Sequence, residues 1–193
     1  DISLHPATWT EGINNFVGHM SYTTSGVTNP SLPQGILNNS GKPLFESIGA
    51  TGHVTGITVK CDTTIILGTE AFSPFCESND GEIRDCRIMT RRGSAQSTLS
   101  TQTAGSSTYP MGGICIENHG TIIGCGCVGK FSVQKRKIGG ICYSNNGLIK
   151  ECYVAGPMTV SNAASAAGIC YDNSGDGQVI DCYFSTIVDN ANF

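Results

Sequence analysis

The chain writes Cys-x-x-Asn-x-Gly-x-[Ile/Val]-x-x-Cys four times. The copies begin with Cys76-Glu-Ser-Asn79-Asp-Gly81-Glu-Ile83-Arg-Asp-Cys86 and Cys115-Ile-Glu-Asn118-His-Gly120-Thr-Ile122-Ile-Gly-Cys125. They continue with Cys142-Tyr-Ser-Asn145-Asn-Gly147-Leu-Ile149-Lys-Glu-Cys152 and Cys170-Tyr-Asp-Asn173-Ser-Gly175-Asp-Gly-Gln-Val179-Ile-Asp-Cys182, the last with two extra residues after its glycine. Such a repeat constrains the fold more than composition does, because each unit leaves an apolar face that only its neighbours can cover. The step is 27 residues from Cys115 to Cys142 and 28 from Cys142 to Cys170. That is too short for two packed helices with their connections. The apolar runs are short, β-branched and bounded by Gly and Asn, as in Gly113-Ile-Cys-Ile116 and Thr121-Ile-Ile123, so they read as strands. Short strands at this period predict an all-β parallel β-helix, a β-solenoid whose coils stack about 4.8 Å apart.

Stacking places Asn79, Asn118, Asn145 and Asn173 above one another at one corner, where each carboxamide can bond to the copies above and below. The glycine two residues later suits a backbone position with φ > 0. A degenerate copy precedes the four. It aligns Gly52 with Gly81, Val54 with Ile83 and Ile57 with Cys86, giving about five coils over residues 44–193. After the second Cys an apolar residue follows at i+2 (Ile88, Cys127, Val154, Phe184), so Cys86, Cys125, Cys152 and Cys182 form an inward ladder. The first Cys of each copy has apolar neighbours on both sides, which leaves its facing open.

Ten cysteines in 193 residues raise the question of disulfides. Cys is a small, readily buried residue suited to an interior row. A row in register also sits near the upper limit of disulfide Cβ separation, about 3.5–4.5 Å, so buried thiols and some disulfides both remain open. The spacings do not match zinc sites, and no metal or other cofactor is expected. Net charge is −4 with 13% charged residues, and Arg91-Arg92 and Lys135-Arg136-Lys137 are short clusters. That disfavours nucleic-acid binding. No apolar run approaches a membrane span, so no membrane insertion is expected. The chain starts at Asp1 rather than Met, which reads as a processed form or an excised fragment.

Two stretches break the repeat. Residues 1–43 hold the only Trp (Trp9), His5, His19 and a formal sequon at Asn38, and are expected to cap or attach the solenoid. Within them, Thr10 to Val17 is compatible with a short helix. Residues 89–111 lengthen one coil and are rich in Ser, Thr, Gln and Gly. They are expected to form an inserted loop on one face, with Arg91, Arg92, Gln96, Gln102 and Tyr109 as contact residues. Asp85, Glu151 and Asp181 share the position before the second Cys, with Gly124 interrupting them. They offer a carboxylate row for Ca²⁺ or acid/base work, or three solvated turn residues. The four histidines are scattered without an evident partner.

Gly112-Gly-Ile-Cys-Ile-Glu-Asn-His-Gly-Thr-Ile-Ile-Gly-Cys125 and Gly139-Gly-Ile-Cys-Tyr-Ser-Asn-Asn-Gly-Leu-Ile-Lys-Glu-Cys-Tyr153 resemble the GLUG repeat of large bacterial surface proteins. The resemblance covers residues 70–86 and 112–184. It implies a β-helical, extracellular or cell-surface module and transfers no catalytic residue. The expectation is a non-enzymatic adhesin or receptor-binding module that meets a host or prey surface glycan or protein. The alternatives are a tip domain of a homotrimeric fibre and a β-helical polysaccharide-degrading enzyme using Asp85, Glu151 and Asp181.

Overall fold

A computed structural model describes residues 13–21, 35–36, 42–61, 64–67, 70–89, 98–103, 109–161, 165–185 and 188–190. These residues form strands and turns with no helix, and every strand pair is parallel. The strands assemble into five sheets that wrap a β-solenoid. One sheet stacks Phe45–Ile48, Cys76–Asn79, Cys115–Asn118, Cys142–Asn145 and Cys170–Asn173. The next two hold six strands each and end in Gln178–Ile180 and Tyr183–Ser185. The fourth has five strands, and the fifth has Tyr109–Gly112, Arg136–Gly139 and Ser165–Ala167.

Register follows the repeat. Phe45, Cys76, Cys115, Cys142 and Cys170 are successive partners, so four complete turns separate the first from the last. A partial rung lies at each end, where the repeat count had suggested about five coils. Both cysteine rows face inward. Cys76, Cys115 and Cys142 are fully buried, and Cys86, Cys125 and Cys152 are at most 1% exposed. Like stacks on like elsewhere in the core. Val54, Ile83, Ile122 and Ile149 form one column, and Val59, Ile88, Cys127 and Val154 another.

The asparagine corner is a continuous hydrogen-bonded ladder. Asn79 Nδ2 donates to Asn118 Oδ1 (2.8 Å), Asn118 Nδ2 to Asn145 Oδ1 (2.7 Å), and Asn145 Nδ2 to Asn173 Oδ1 (2.7 Å). The first three asparagines have no exposed surface. Burial of an amide is tolerated because each one is paired.

The glycine after each asparagine has a different role from the one expected. Gly81, Gly120 and Gly147 do not adopt positive φ. A Cβ at these sites would instead lie 2.1–2.3 Å from the carbonyl oxygen of the corresponding glycine one rung before. Close backbone approach, not handedness, excludes a side chain there. In the last copy this position belongs to Gly177. Asn173 Nδ2 donates to the Gly177 carbonyl as Asn145 Nδ2 does to Gly147. The extra residues therefore precede the repeat glycine, and Gly175 sits in the added turn at φ 58°.

The N-terminal segment joins the stack. Ile13 bridges to Phe45 and Phe16 to Ile48, which replaces the short helix considered for Thr10 to Val17 with extended pairing. His19–Ser21 pairs with His53–Thr55, and Gly35–Ile36 with Thr58–Lys60. Phe16, Phe45 and Phe75 pack with centroids 5.5 and 5.6 Å apart. Trp9, His5 and the Asn38 sequon lie outside the described residues.

The stretch 89–111 is not one loop. Thr98–Thr103 pairs with Thr64–Leu67 on one side and Lys130–Gln134 on the other, and Tyr109–Gly112 pairs with Arg136–Gly139. The β-branched Thr-Leu-Ser-Thr-Gln-Thr sequence suits a strand with neighbours on both edges. The surplus residues of this coil fall in 90–97 and 104–108, outside the described residues.

Candidate functional site

Inward cysteines fix which side chains face out. Tyr143 follows the buried Cys142, and Tyr171 follows Cys170 one rung on, so strand alternation turns both rings outward. In-register pairing stacks them with centroids 5.3 Å apart and planes 11° from parallel. Ser165 Oγ lies 2.9 Å from the Tyr171 hydroxyl, and Lys137 Nζ is 5.9 Å from the Tyr171 ring centroid. In the rungs before, the same register position holds Ile116, Glu77 and Glu46. This column thus runs from two carboxylates through an apolar side chain to a pair of tyrosines beside a lysine. Burial, reinforced by Glu46, raises the Glu77 carboxyl above its ordinary 4.5, while Lys42 opposes the shift. The sequence signal for the tyrosine pair was the shared Cys-Tyr-x-Asn of the third and fourth copies.

A second outer column is built from His19, His53 and Glu82. The two imidazoles stack at 4.6 Å with planes 4° apart. His53 Nδ1 is 3.8 Å from Glu82 Oε1, and Arg84 Nε and Nη2 donate to the two Glu82 oxygens at 3.1 Å. That paired hydrogen bonding holds the Glu82 carboxyl below its ordinary range. The third described histidine, His119, has Nδ1 3.1 Å from Asp80 Oδ1. Register thus brings together His19 and His53, which looked scattered in the sequence, on neighbouring rungs.

The carboxylate row has a backbone explanation. Asp85, Glu151 and Asp181 adopt φ of 53°, 54° and 51°, and Gly56 and Gly124 occupy the same turn at 72° and 64°. This is the left-handed corner that leads into the second cysteine. All three acids are exposed, and Glu151 pairs with its neighbour Lys150 at 3.1 Å. A Cβ at Gly124 would lie 2.4 Å from Asp85 Oδ1, so the Asp85 carboxylate rests over that glycine. Among the described residues no group of three or more His, Cys, Asp or Glu side chains is arranged to hold a metal ion. No helix among them is long and apolar enough to cross a membrane.

Of the contact residues expected in 89–111, Arg91, Arg92 and Gln96 lie outside the described residues. Gln102 is part of a strand paired with Ile66. Tyr109 packs its ring 5.5 Å from the Arg136 guanidinium. Arg136 itself is fully buried and donates Nη1 to the carbonyls of Glu70 and Pro110. Burial lowers it to about 10. It therefore anchors a corner from within, and Lys135-Arg136-Lys137 is not a continuous surface cluster.

None of the ten cysteines is in a disulfide. Each repeat thiol donates to a carbonyl in its own turn, as Cys115 does to Glu117 (3.0 Å) and Cys86 to Arg84 (3.2 Å). Burial pushes the Cys115, Cys127 and Cys142 thiols well above their ordinary 9.0. They are protonated packing groups, not nucleophiles.

The chain matches no protein-family model, no curated protein and no solved structure.

Proposed function

We propose that this chain is a non-enzymatic recognition module of the cell surface, related to the GLUG-repeat proteins, that binds a glycan or protein surface through its outward columns. The observation that carries this reading is the Tyr143–Tyr171 stack flanked by Ser165 and Lys137. Tyrosine offers a large, rigid, amphipathic contact at low entropic cost. Stacking on a rigid coil fixes the rings before a partner arrives, so little is lost on binding. A sugar ring could lie against the aromatic edge and bond to the tyrosine hydroxyls and the lysine ammonium. The left-handed turn role of Asp85, Glu151 and Asp181 accounts for their shared position without catalysis.

A glycan array probed with the full chain, a Tyr143→Ala/Tyr171→Ala variant and an Asp85→Asn/Asp181→Asn variant tests the reading. Binding that is lost in the tyrosine variant and kept in the aspartate variant supports it. Binding indifferent to the tyrosines overturns the assignment of the site. Release of reducing or unsaturated sugar ends, abolished in the aspartate variant, overturns the non-enzymatic reading.

A further inference from the structure

On the sheet that follows the second cysteine of each repeat, the residue next to that cysteine faces out, because Ile88, Cys127 and Val154 one position further on are buried. Arg87, Gly126 and Tyr153 are successive register partners in this outward column. Tyr153 does not stand away from the sheet. A Cβ at Gly126 would lie 2.3 Å from Tyr153 Cζ, 2.6 Å from its Cε1 and 2.7 Å from its hydroxyl oxygen. The ring therefore reaches back one rung, lies across Gly126 and brings its hydroxyl end toward the rung of Arg87.

The backbone does not account for this glycine. Gly81, Gly120 and Gly147 are required by a neighbouring carbonyl, and Gly124 by positive φ. At Gly126 φ is not positive, and the three atoms nearest to an added Cβ all belong to the Tyr153 side chain. The missing side chain provides a bed for the ring. Gly126 is buried beneath it, while Tyr153 itself is only half-buried.

The surroundings select the charge of a ligand. Arg87 is exposed, and its guanidinium makes no ion pair among the described residues. The strands Thr58–Lys60, Arg87–Met89, Gly126–Val128 and Tyr153–Ala155 hold no acid. Of the turn acids that precede them, Asp85 rests over Gly124 and Glu151 pairs with Lys150. Met89, Val128 and Ala155 form the next outward column, a half-buried apolar strip alongside the ring. An apolar platform with a guanidinium at one end fits a sugar that has an apolar C–H face and a carboxylate at its edge.

We propose that Arg87, Gly126 and Tyr153 form a second glycan subsite, on a different sheet from the Tyr143–Tyr171 stack, that takes a carboxylated sugar. The sugar lies on the Tyr153 ring, and Arg87 holds its carboxylate through two parallel hydrogen bonds. The assignment rests on the reading of the chain as a surface glycan binder and adds a charge class to it.

The probes are sialyllactose and a short oligogalacturonate, each beside its methyl ester, titrated calorimetrically into the full chain at low ionic strength. At least one acid is expected to bind saturably, and its ester at least about tenfold more weakly. Arg87→Gln should weaken the acid by about tenfold and leave the ester unchanged. Gly126→Ala keeps both the tyrosine and the arginine but lifts the ring off the sheet, and should weaken the acid by about threefold to tenfold. Its added Cβ meets a movable ring end, so the fold is retained; Arg87→Gln, at an exposed position, carries the test if it is not. Acid binding is expected to persist in the Tyr143→Ala/Tyr171→Ala variant, which removes the first site. Failure of both acids to bind, an ester that binds as well as its acid, or an affinity unchanged in folded Gly126→Ala or in Arg87→Gln overturns the proposal. Acid binding lost in the tyrosine-stack variant overturns it as well, by placing the acid at the first site. Acid binding that persists while the glycan array is indifferent to Tyr143 and Tyr171 refutes the first site alone and supports this one.

Discussion

Replacing Asn118 by leucine tests the ladder at a buried rung with a ladder partner on each side. The change keeps volume nearly constant and removes the carboxamide. Two ladder bonds of 2.8 and 2.7 Å disappear, each with a net worth of about 1 kcal/mol. Asn79 Nδ2 is left with contacts to the Gly81 and Thr121 carbonyls, both at 3.4 Å, in a site with no exposed surface. An under-satisfied buried donor costs about 1 kcal/mol more. Asn145 Oδ1 retains the Gly147 N–H at 3.3 Å, which limits the loss on that side. The total is about 3 kcal/mol. Asn173→Leu removes one ladder bond at an exposed rung, where water replaces the partner, and should cost about 1 kcal/mol. The assay is equilibrium urea unfolding under reducing conditions, with comparable m-values required of parent and variants. The reasoning is refuted if Asn118→Leu lies within about 0.5 kcal/mol of the parent, the range of an ordinary surface change. It is equally refuted if the two variants cost the same.

Gly120→Ala should destabilise the chain by about 2–4 kcal/mol in the same assay, because its Cβ would lie 2.2 Å from the Gly81 carbonyl oxygen and both backbones are fixed by stacking. Glu151→Gly should raise stability by up to about 1 kcal/mol, since glycine accepts the left-handed turn without the penalty of a side chain, while Gly124→Ala should lower it by a similar amount. Glu77→Gln addresses pH. The folded carboxyl is raised above 4.5, so the native state holds the proton more tightly, and parent stability falls as pH rises from 4.5 through the folded value. The variant should therefore melt higher than the parent at pH 7, with the advantage shrinking as pH falls through the folded value and gone below about 4.5; a constant difference from pH 7 to below 4.5 contradicts the assignment. Thiol titration of the native chain should find Cys170 and Cys182 reacting first and the eight buried cysteines only on unfolding.

The stacked coils were legible because the repeat samples each inward position several times. Val54 opposite Ile83 and Ile57 in the register of Cys86 follow from the alignment of the degenerate copy alone. Features set by backbone proximity were harder to read. A glycine needed for a close carbonyl and one needed for positive φ look the same in sequence, so the positive φ expected at Gly81 belongs instead to Gly124. The acid row invited chemistry because three carboxylates in register look like a site, while the left-handed turn they occupy has no side-chain signature. Thr98–Thr103 joins its sheet through main-chain bonds that need no repeat motif, which is why an insertion concealed a strand. Ile13 and Phe16 join the stack in the same way. The outer columns depend on register between distant rungs. The pairing of His19 with His53 appears only once the strands are placed, whereas Tyr143 and Tyr171 could have been matched from their equal offsets after the first cysteine.

The most direct test of in-register stacking is side-chain amide exchange followed by ¹⁵N-resolved NMR after transfer to D₂O. The account predicts that the NH₂ groups of Asn79, Asn118 and Asn145 exchange slowly, as buried, bonded ladder members. The exposed Asn146, one residue beyond the corner, should exchange fast and serve as the internal reference, with Asn173 closer to it than to the other three. Exchange of all five at the rate of Asn146 would contradict the ladder and the solenoid built around it.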